Sequence, residues 1–455
     1  MKGMVEKVDY KNVAILTLGC KVNQYETNAM AQKLQQAGYS VTEITSSMID
    51  ESIDIFIVNT CTVTNIADRK SRQQLRKIKE YNPHAIVVAT GCYAQVSREV
   101  LEQMPEIDLI LGNNEKKEIV KYIEEFLSEN EKITHTENLL ETREFSDLGS
   151  VTYTEKSRAA VKVQDGCDRF CSYCIIPYAR GRVRSRKPES IVSEISEISK
   201  KGIKEVVITG IHIASYGKDF KEDYKLIDLL EEIQKIEGIE RIRLGSIEPL
   251  LITDEFVKRL SKLDKICHHF HLSLQSGCDE TLARMNRRYG TEDFIKVVER
   301  LRNTYSDVIL TTDIIVGFPG ETDEEFEKTY EFLTKIKFYK MHVFPYSRRQ
   351  GTKAADMKNQ IDGNVKDERS KKLIDLSNKN EQEYNTSYVG KVAQVLVEEK
   401  VGENIFQGHT GNYLMVKIKL EDHKYEQSEL ENKIVNVKIV GCEDAYLIGE
   451  ISINI

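Results

Sequence analysis

Residues 159–174 read Ala159-Ala-Val-Lys-Val-Gln-Asp-Gly-Cys-Asp-Arg-Phe-Cys-Ser-Tyr-Cys174, a short strand-like run that passes directly into three cysteines spaced C-x3-C-x2-C. Cys167, Cys171 and Cys174 so spaced can wrap one face of an iron–sulfur cubane. Ferredoxins give each iron of a cubane a thiolate, so three local thiolates leave one iron open. An open coordination position distinguishes a catalytic metal centre from a closed structural one. A zinc site or three unrelated buried thiols are the competing readings of the same residues.

The run at 159–164 is the first of six, followed by 205–211, 241–247, 270–274, 308–316 and 341–345, with helical segments between them. In the segment 188–200, Pro188 stands at the helix start and Ile191, Ile195 and Ile198 share one face. Six such units predict an open, incomplete (βα)6 barrel, whose chemistry sits at the carboxyl ends of the strands. The cysteine loop leaves the first strand at that end.

Upstream, apolar runs at 13–18, 53–58, 86–89 and 109–111 alternate with helical patterns at 26–37 and 66–81. This alternation predicts an α/β domain over 1–127 with a mainly parallel sheet. The polar stretch 128–156 reads as a linker with room for one short hairpin. The barrel domain is assigned to 157–367 and a polar linker helix to 368–386. From 387 to 455, short alternating runs at 392–397, 413–418, 434–440 and 446–451 predict an all-β domain, a five-stranded barrel.

Cys20, Cys61 and Cys92 are distant in sequence, but each closes an apolar strand: Ala-Ile-Leu-Thr-Leu-Gly-Cys20, Ile-Phe-Ile-Val-Asn-Thr-Cys61 and Ile-Val-Val-Ala-Thr-Gly-Cys92. Parallel strands point one way, so the three thiols are expected along one edge, where α/β sheets bind ligands. Gly19 and Gly91 permit close backbone approach. A second cluster is the functional reading; three buried thiols are the alternative.

The chain has 455 residues, 40% hydrophobic and 30% charged, with a net charge of −8. That supports sizeable cores. No apolar run approaches the ~18 residues of a membrane span. The start, Met1-Lys-Gly-Met-Val-Glu-Lys-Val-Asp9, lacks the apolar core of a signal peptide. A cytoplasmic location is expected, with the nine cysteines serving as metal ligands or inert thiols. Cys267, Cys278 and Cys442 show no grouping and read as structural. The acidic balance means that any RNA surface is a local basic patch.

Together these features resemble the methylthiotransferases of the radical S-adenosylmethionine (SAM) superfamily, over essentially the whole chain. The resemblance rests on the C-x3-C-x2-C loop, on Thr17-Leu-Gly-Cys-Lys-Val-Asn-Gln-Tyr-Glu-Thr27 and on Asn59-Thr-Cys-Thr-Val-Thr-Asn-Ile-Ala-Asp-Arg-Lys-Ser-Arg72. These last two motifs, with Gly245-Ser-Ile-Glu-Pro249 and Asn286-Arg-Arg-Tyr289, look like the branch that acts on N6-threonylcarbamoyladenosine at tRNA position 37. The isopentenyladenosine branch usually carries Tyr-Gly-Cys-Gln-Met-Asn at the first motif, and the ribosomal-protein branch tends towards Leu-Gly-Cys-Pro-Lys-Asn.

The resemblance implies two 4Fe–4S clusters, a radical SAM cluster on Cys167, Cys171 and Cys174 and an auxiliary cluster on Cys20, Cys61 and Cys92. It also implies SAM, a C-terminal TRAM domain, the anticodon stem-loop of tRNA as partner, an electron donor such as flavodoxin or ferredoxin, and no membrane. In the implied reaction SAM is cleaved reductively at the first cluster. A second SAM methylates sulfur on the auxiliary cluster, and the methylthio group passes to C2 of the adenine. No side-chain acid or base removes that unactivated hydrogen, so the cofactors carry the chemistry.

SAM contacts are expected at the strand ends: Thr209 and Gly210, Ser246 and Glu248, Gln275 and Ser276, Asp313 and Gly317, and Phe344. Ordinary strand-end turns and ion pairs are the alternative. RNA phosphate contacts are expected from Arg180, Arg182, Arg184 and Arg186, and from Arg69 and Arg72 after Cys61; a solvated charged face is the alternative. The competing functions are methylthiolation of isopentenyladenosine or of a ribosomal protein, and a non-catalytic, metal-containing RNA-binding protein.

Overall fold

The computed structural model describes residues 11–45, 49–152, 157–420, 430–443 and 445–452. The chain start and the last residues of the expected linker, 153–156, lie outside them. Two units form. One comprises Met1–Tyr153, Asp165–Asp168 and Cys174–Arg184; the other comprises Thr154–Gln164, Arg169–Tyr173 and Ser185–Ile455.

The first unit is built on a parallel sheet of β1 (Asn12–Thr17), β2 (Ser40–Ile44), β3 (Ile55–Thr60), β4 (Ile86–Gly91), β5 (Leu109–Leu111) and β6 (Ile133–His135), in the order β2-β1-β3-β4-β5-β6. Alternate residues face opposite sides of a strand, and both sides are apolar here. Ala14, Leu16, Phe56, Val58, Val87 and Ala89 pack with Leu75 and Ile78 on one side. Val13, Ile15, Ile55, Ile57 and Val88 pack with Met30, Leu34 and Ile123 on the other. A sheet covered on both faces is the usual setting of parallel strands. Helices α1 (Lys21–Gln36), α2 (Asn65–Tyr81) and α3 (Cys92–Val96) follow β1, β3 and β4. The stretch expected as a linker contributes β6, which pairs parallel to β5. Three residues are too short to show a period, which is why no strand is legible there.

The second unit carries the six expected strands as β7 (Arg158–Asp165), then β9 (Glu205–Gly210), β10 (Arg241–Leu244), β11 (His269–Gln275), β12 (Ile309–Val316) and β13 (Lys340–Pro345), with a two-residue strand β8 (Arg184–Ser185) at one edge. They form two parallel sheets, β10-β9-β7-β8 and β11-β12-β13. A single bridge, Ile247 to Leu272, joins the two sheets. One core runs through both, from Val161 and Ile208 to Phe270, Ile314 and Phe338. The helix expected at 368–386 starts earlier, at Gly363, and runs to Tyr388. It packs on β13: the Ser377 hydroxyl accepts from Met341 N at 2.9 Å, and Asn380 Nδ2 donates to Phe338 O at 3.0 Å.

The C-terminal domain is a closed barrel of β14 (Val392–Gly402), β15 (Ile405–Thr410), β16 (Met415–Lys419), β17 (Ile434–Glu443) and β18 (Tyr446–Ile451), in the order β14-β15-β16-β18-β17. Its core of Val395, Phe406, Val416 and Val437 includes Ile309 and Tyr339 from the parallel-strand half of the same unit. Arg241 donates to the carbonyls of His409 (3.0 Å) and Gln394 (2.9 Å). Tyr413 stacks on His269 and His409, with the guanidinium carbons of Arg243 and Arg158 at 4.5 and 5.2 Å from its ring centroid. Its ring is therefore engaged inside the unit. Tyr413→Ala should cost about 2–4 kcal/mol of unfolding free energy and lower the denaturation midpoint. An unchanged midpoint would show that this ring contributes nothing to docking.

Candidate functional site

The three N-terminal thiols meet because the strand register brings them together. Thr17 pairs with Asn59 and Thr60 with Gly91. Cys61 and Cys92 therefore leave β3 and β4 side by side, and Cys20 caps α1 just past β1. Gly19 has φ +106°, and a Cβ there would lie 2.8 Å from Cys61 Sγ; at Gly91, with φ +99°, a Cβ would lie 2.5 Å from Thr60 O. Neither position accepts a side chain. The glycines thus make room for neighbouring protein, Cys61 itself in the first case. Cys61 and Cys92 are buried and Cys20 is exposed.

Burial pushes the Cys61 thiol up to about 11, with Cys92 and Cys20 adding to the rise. Burial also raises Cys92, while Arg180 and Lys116 oppose it. Ligation at these thiols must therefore displace protons. Among the described residues no group of three or more His, Cys, Asp or Glu is arranged to hold a single ion. On a cubane each thiolate meets a different iron, so a cubane asks for three thiols on one sheet edge rather than three converging on one ion, and the strand register supplies that edge.

Cys167 and Cys174 belong to the same unit as these thiols. Cys167 N donates to Gly181 O at 3.0 Å, so the loop closes on the arginine-rich segment after it. That segment differs from the sequence expectation. Arg180 and Arg184 have no exposed surface, and Arg186 has 1%. Arg180 pairs with Glu26 and Asp165. Arg184 donates to Arg180 O at 2.7 Å, and Arg186 pairs with Glu194 at 2.9 Å. These three guanidinia are consumed by buried carboxylates and carbonyls and offer nothing to a phosphate. Arg182 is 46% exposed, 3.4 Å from Asp168. On α2, Arg69 is exposed, and Arg72 is half-buried with its guanidinium on the Tyr93 hydroxyl.

In the second unit, Arg287 Nη1 donates to Cys171 Sγ at 3.2 Å and Nη2 to Ser273 O at 3.0 Å. Asn286 Nδ2 donates to Phe170 O at 3.0 Å, holding Phe170 at φ +47°. Ser172 N donates to Met285 O at 3.0 Å. Thus Asn286 and Arg287, quoted above only within a branch marker, form with Met285 the clamp on the cysteine loop. Glu248 is buried and pairs with Arg169 of the loop and with His212 at 3.3 Å. Burial alone would raise its carboxyl, but His212, Arg169 and Arg287 outweigh it and hold the group below the usual carboxylate value. Gln164 Oε1 accepts from His212 N at 2.7 Å. A cleft of about 690 Å³ opens beside Arg169 and Glu248, lined also by Tyr216, Tyr224, Leu251 and Phe256.

The other expected SAM residues divide. Thr209 and Gly210 end β9, and Gln275 ends β11 at φ +73°. Ser246 and Phe344 are exposed. The Ser276 hydroxyl is engaged by Thr329 Oγ1 at 3.2 Å and Cys278 N at 3.3 Å. Asp313 pairs with His271 at 3.1 Å. Gly317 does not open onto an adenine-sized space: a Cβ there would meet Lys366 Cγ at 2.3 Å.

Residues 161–333 match the Radical SAM superfamily, and residues 12–112 match the uncharacterized protein family UPF0004. The chain is 41% identical to a threonylcarbamoyladenosine tRNA methylthiotransferase MtaB of Bacillus subtilis, over 96% of both chains. It is 36% identical to a tRNA-2-methylthio-N(6)-dimethylallyladenosine synthase of Caldicellulosiruptor saccharolyticus, over 97% of this chain and 92% of the other. Among solved structures, the radical S-adenosylmethionine methyltransferase TsrM of Kitasatospora setae shares the fold, with TM-score 0.56 and 15% identity over 76% of this chain and 77% of that one. With these relatives over nearly its whole length, residues 170–172 of the cysteine loop clamped within the second unit and a further thiol set on a parallel sheet edge in the first, the chain belongs to the radical SAM tRNA methylthiotransferases.

Proposed function

We propose that this chain transfers a methylthio group to C2 of N6-threonylcarbamoyladenosine at position 37 of tRNA, using a radical SAM cluster on Cys167, Cys171 and Cys174 and an auxiliary cluster on Cys20, Cys61 and Cys92. The observation that carries the substrate assignment is the ordering of relatives. Those named for threonylcarbamoyladenosine are 38–42% identical, and those named for the dimethylallyl nucleoside are 35–36%. The residues around Cys20 and Cys61 point the same way. Bound at the two thiol sets, iron–sulfur clusters supply the electron that cleaves SAM and the sulfur that is delivered. A cytoplasmic electron donor such as flavodoxin or ferredoxin completes the system.

The chain's own side chains orient and enclose. Arg287 steadies the Cys171 sulfur with a charge-assisted bond. Gln275 combines a left-handed backbone with a side-chain amide that has no hydrogen-bond partner among the described residues. A strained residue with a free amide at a strand end suits a ligand contact. Glu248, fixed between Arg169 and His212, holds a negative charge at the same mouth. For RNA, Val63 (54% exposed) and Ile66 (68%) adjoin Cys61. Ile66, Arg69 and Lys70 share one face of α2, an apolar and basic surface suited to an unstacked base and its phosphates.

Cells lacking the gene should lose 2-methylthio-N6-threonylcarbamoyladenosine, accumulate the unmethylthiolated nucleoside and keep the isopentenyl series intact, as read by mass spectrometry of tRNA nucleosides. An unchanged profile would remove the substrate assignment.

Gln275→Ala should weaken SAM binding about tenfold, roughly 1.4 kcal/mol, with iron content unchanged. Equal affinity would return Gln275 to a turn residue.

Charge reversal at Arg182 or Arg69 should weaken tRNA binding and reduce its salt slope by about 1. A constant slope would place these cations off the RNA.

A further inference from the structure

Arg180 follows Cys174 in the segment matched to the radical SAM superfamily, yet its guanidinium is fully buried within the first unit against the auxiliary thiols. Nε donates to Cys92 Sγ at 3.1 Å. Nη1 and Nη2 each meet an oxygen of Glu26, and Nη2 also donates to Asn23 Oδ1 at 2.7 Å. Asp165 Oδ2 stands 3.4 Å from Nη1. Lys116, fully buried, pairs with the same Glu26 and donates to Asn113 Oδ1 at 3.0 Å. Asn113 Nδ2 in turn donates to Ala179 O at 2.8 Å. The guanidinium is thus fixed from α1, from the end of β7 and from the segment after β5, and its one N–H left over is aimed at a sulfur.

The charge count makes the same point. Among the described residues, the buried groups linked by these ion pairs are three cations, Lys116, Arg180 and Arg184, and two carboxylates, Glu26 and Asp165. A buried cation in excess is costly unless an anion meets it. A metal-bound thiolate at Cys92 is such an anion.

We infer that Arg180 is a positioning residue for the auxiliary centre: a fixed, charged donor that orients the Cys92 sulfur and raises the reduction potential of the cluster it holds. The inference rests on the two-cluster reading proposed above. Reduction adds negative charge to a cluster, so a buried positive charge and an N–H bond to a ligand sulfur both favour the reduced form. The contact also ties the segment carrying Cys174 to the second thiol set, since Arg180, Cys174 and Cys92 all lie in one unit.

The test uses the full chain with Cys167, Cys171 and Cys174 replaced by Ala, so that reconstituted iron reports on the auxiliary set alone. If this parent binds no iron–sulfur cluster, the two-cluster reading fails and the inference falls with it. If it does, Arg180→Gln and Arg180→Lys are compared by iron content and by midpoint potential in a redox titration followed by electron paramagnetic resonance. The Gln variant should keep its iron while its midpoint falls by at least the 59 mV that changes a one-electron reduced-to-oxidised ratio tenfold. The Lys variant should recover most of that shift. An unshifted, iron-loaded Gln variant overturns the role. Should the Gln variant fail to fold or load, Lys116→Met removes the adjacent buried charge and is read in the same titration: a lower midpoint supports the inference, and no shift overturns it.

Discussion

Parallel strand pairing is the constraint on which the rest of this molecule depends. In an antiparallel sheet, neighbouring strand ends lie at opposite edges. Here β1, β3 and β4 run one way, with Thr17 opposite Asn59 and Thr60 opposite Gly91, so residues far apart in sequence end at one edge. The apolar alternation on both faces holds that register, because a slip of one residue would exchange the two cores. The barrel half of the second unit repeats the rule: the cysteine loop follows β7, and Glu248 and Gln275 lie beyond β10 and at the end of β11. Chemistry collects where strand direction delivers it.

The same physics explains what the sequence revealed. Cysteine spacing and strand-end position were legible because both are local, and both thiol sets sit at strand ends as expected. The parallel N-terminal sheet, the six βα strands of the second unit and the C-terminal β-barrel followed from periodicity; that the six strands divide into two sheets, β10-β9-β7-β8 and β11-β12-β13, did not. What was lost was short, interrupted or non-local, or, like the sheet-edge strand β2 (Ser40–Ile44), without a fully buried residue to mark it. β6 and β8 have too few residues to show a period. β15 was missed because Gly408 and His409 interrupt its apolar pattern. The clamp from Arg287 to Cys171 joins residues 116 positions apart, and no pattern within either segment announces it.

The arginines after Cys174 carry the sharper lesson. A run with four arginines in seven residues, 180–186, reads as a basic surface because arginine is almost never fully buried unless paired. Here the pairing is present, but the partners lie elsewhere: Glu26 on α1, Asp165 ending β7 and Glu194. Only Arg182 keeps substantial exposure. Charge type alone does not separate an arginine that meets phosphate from one that meets a buried carboxylate; the location of the countercharge does.

That distinction bears on how an acidic chain can engage RNA. With a net charge of −8, the whole-molecule field opposes a polyanion at long range. Burying Arg180, Arg184 and Arg186 removes three more cations from the surface that could offset it. Exposed cations near the cysteines include Lys21 beside Cys20, Arg69 and Lys70 on α2 and Arg182 after the loop. Binding built on these cations releases few counterions and has a shallow salt dependence. On the RNA surface proposed above, discrimination would rest on the fit of an unstacked base beside Val63 and Ile66 more than on electrostatic attraction. A modifying enzyme that has to release each tRNA after a single reaction is served by such an arrangement.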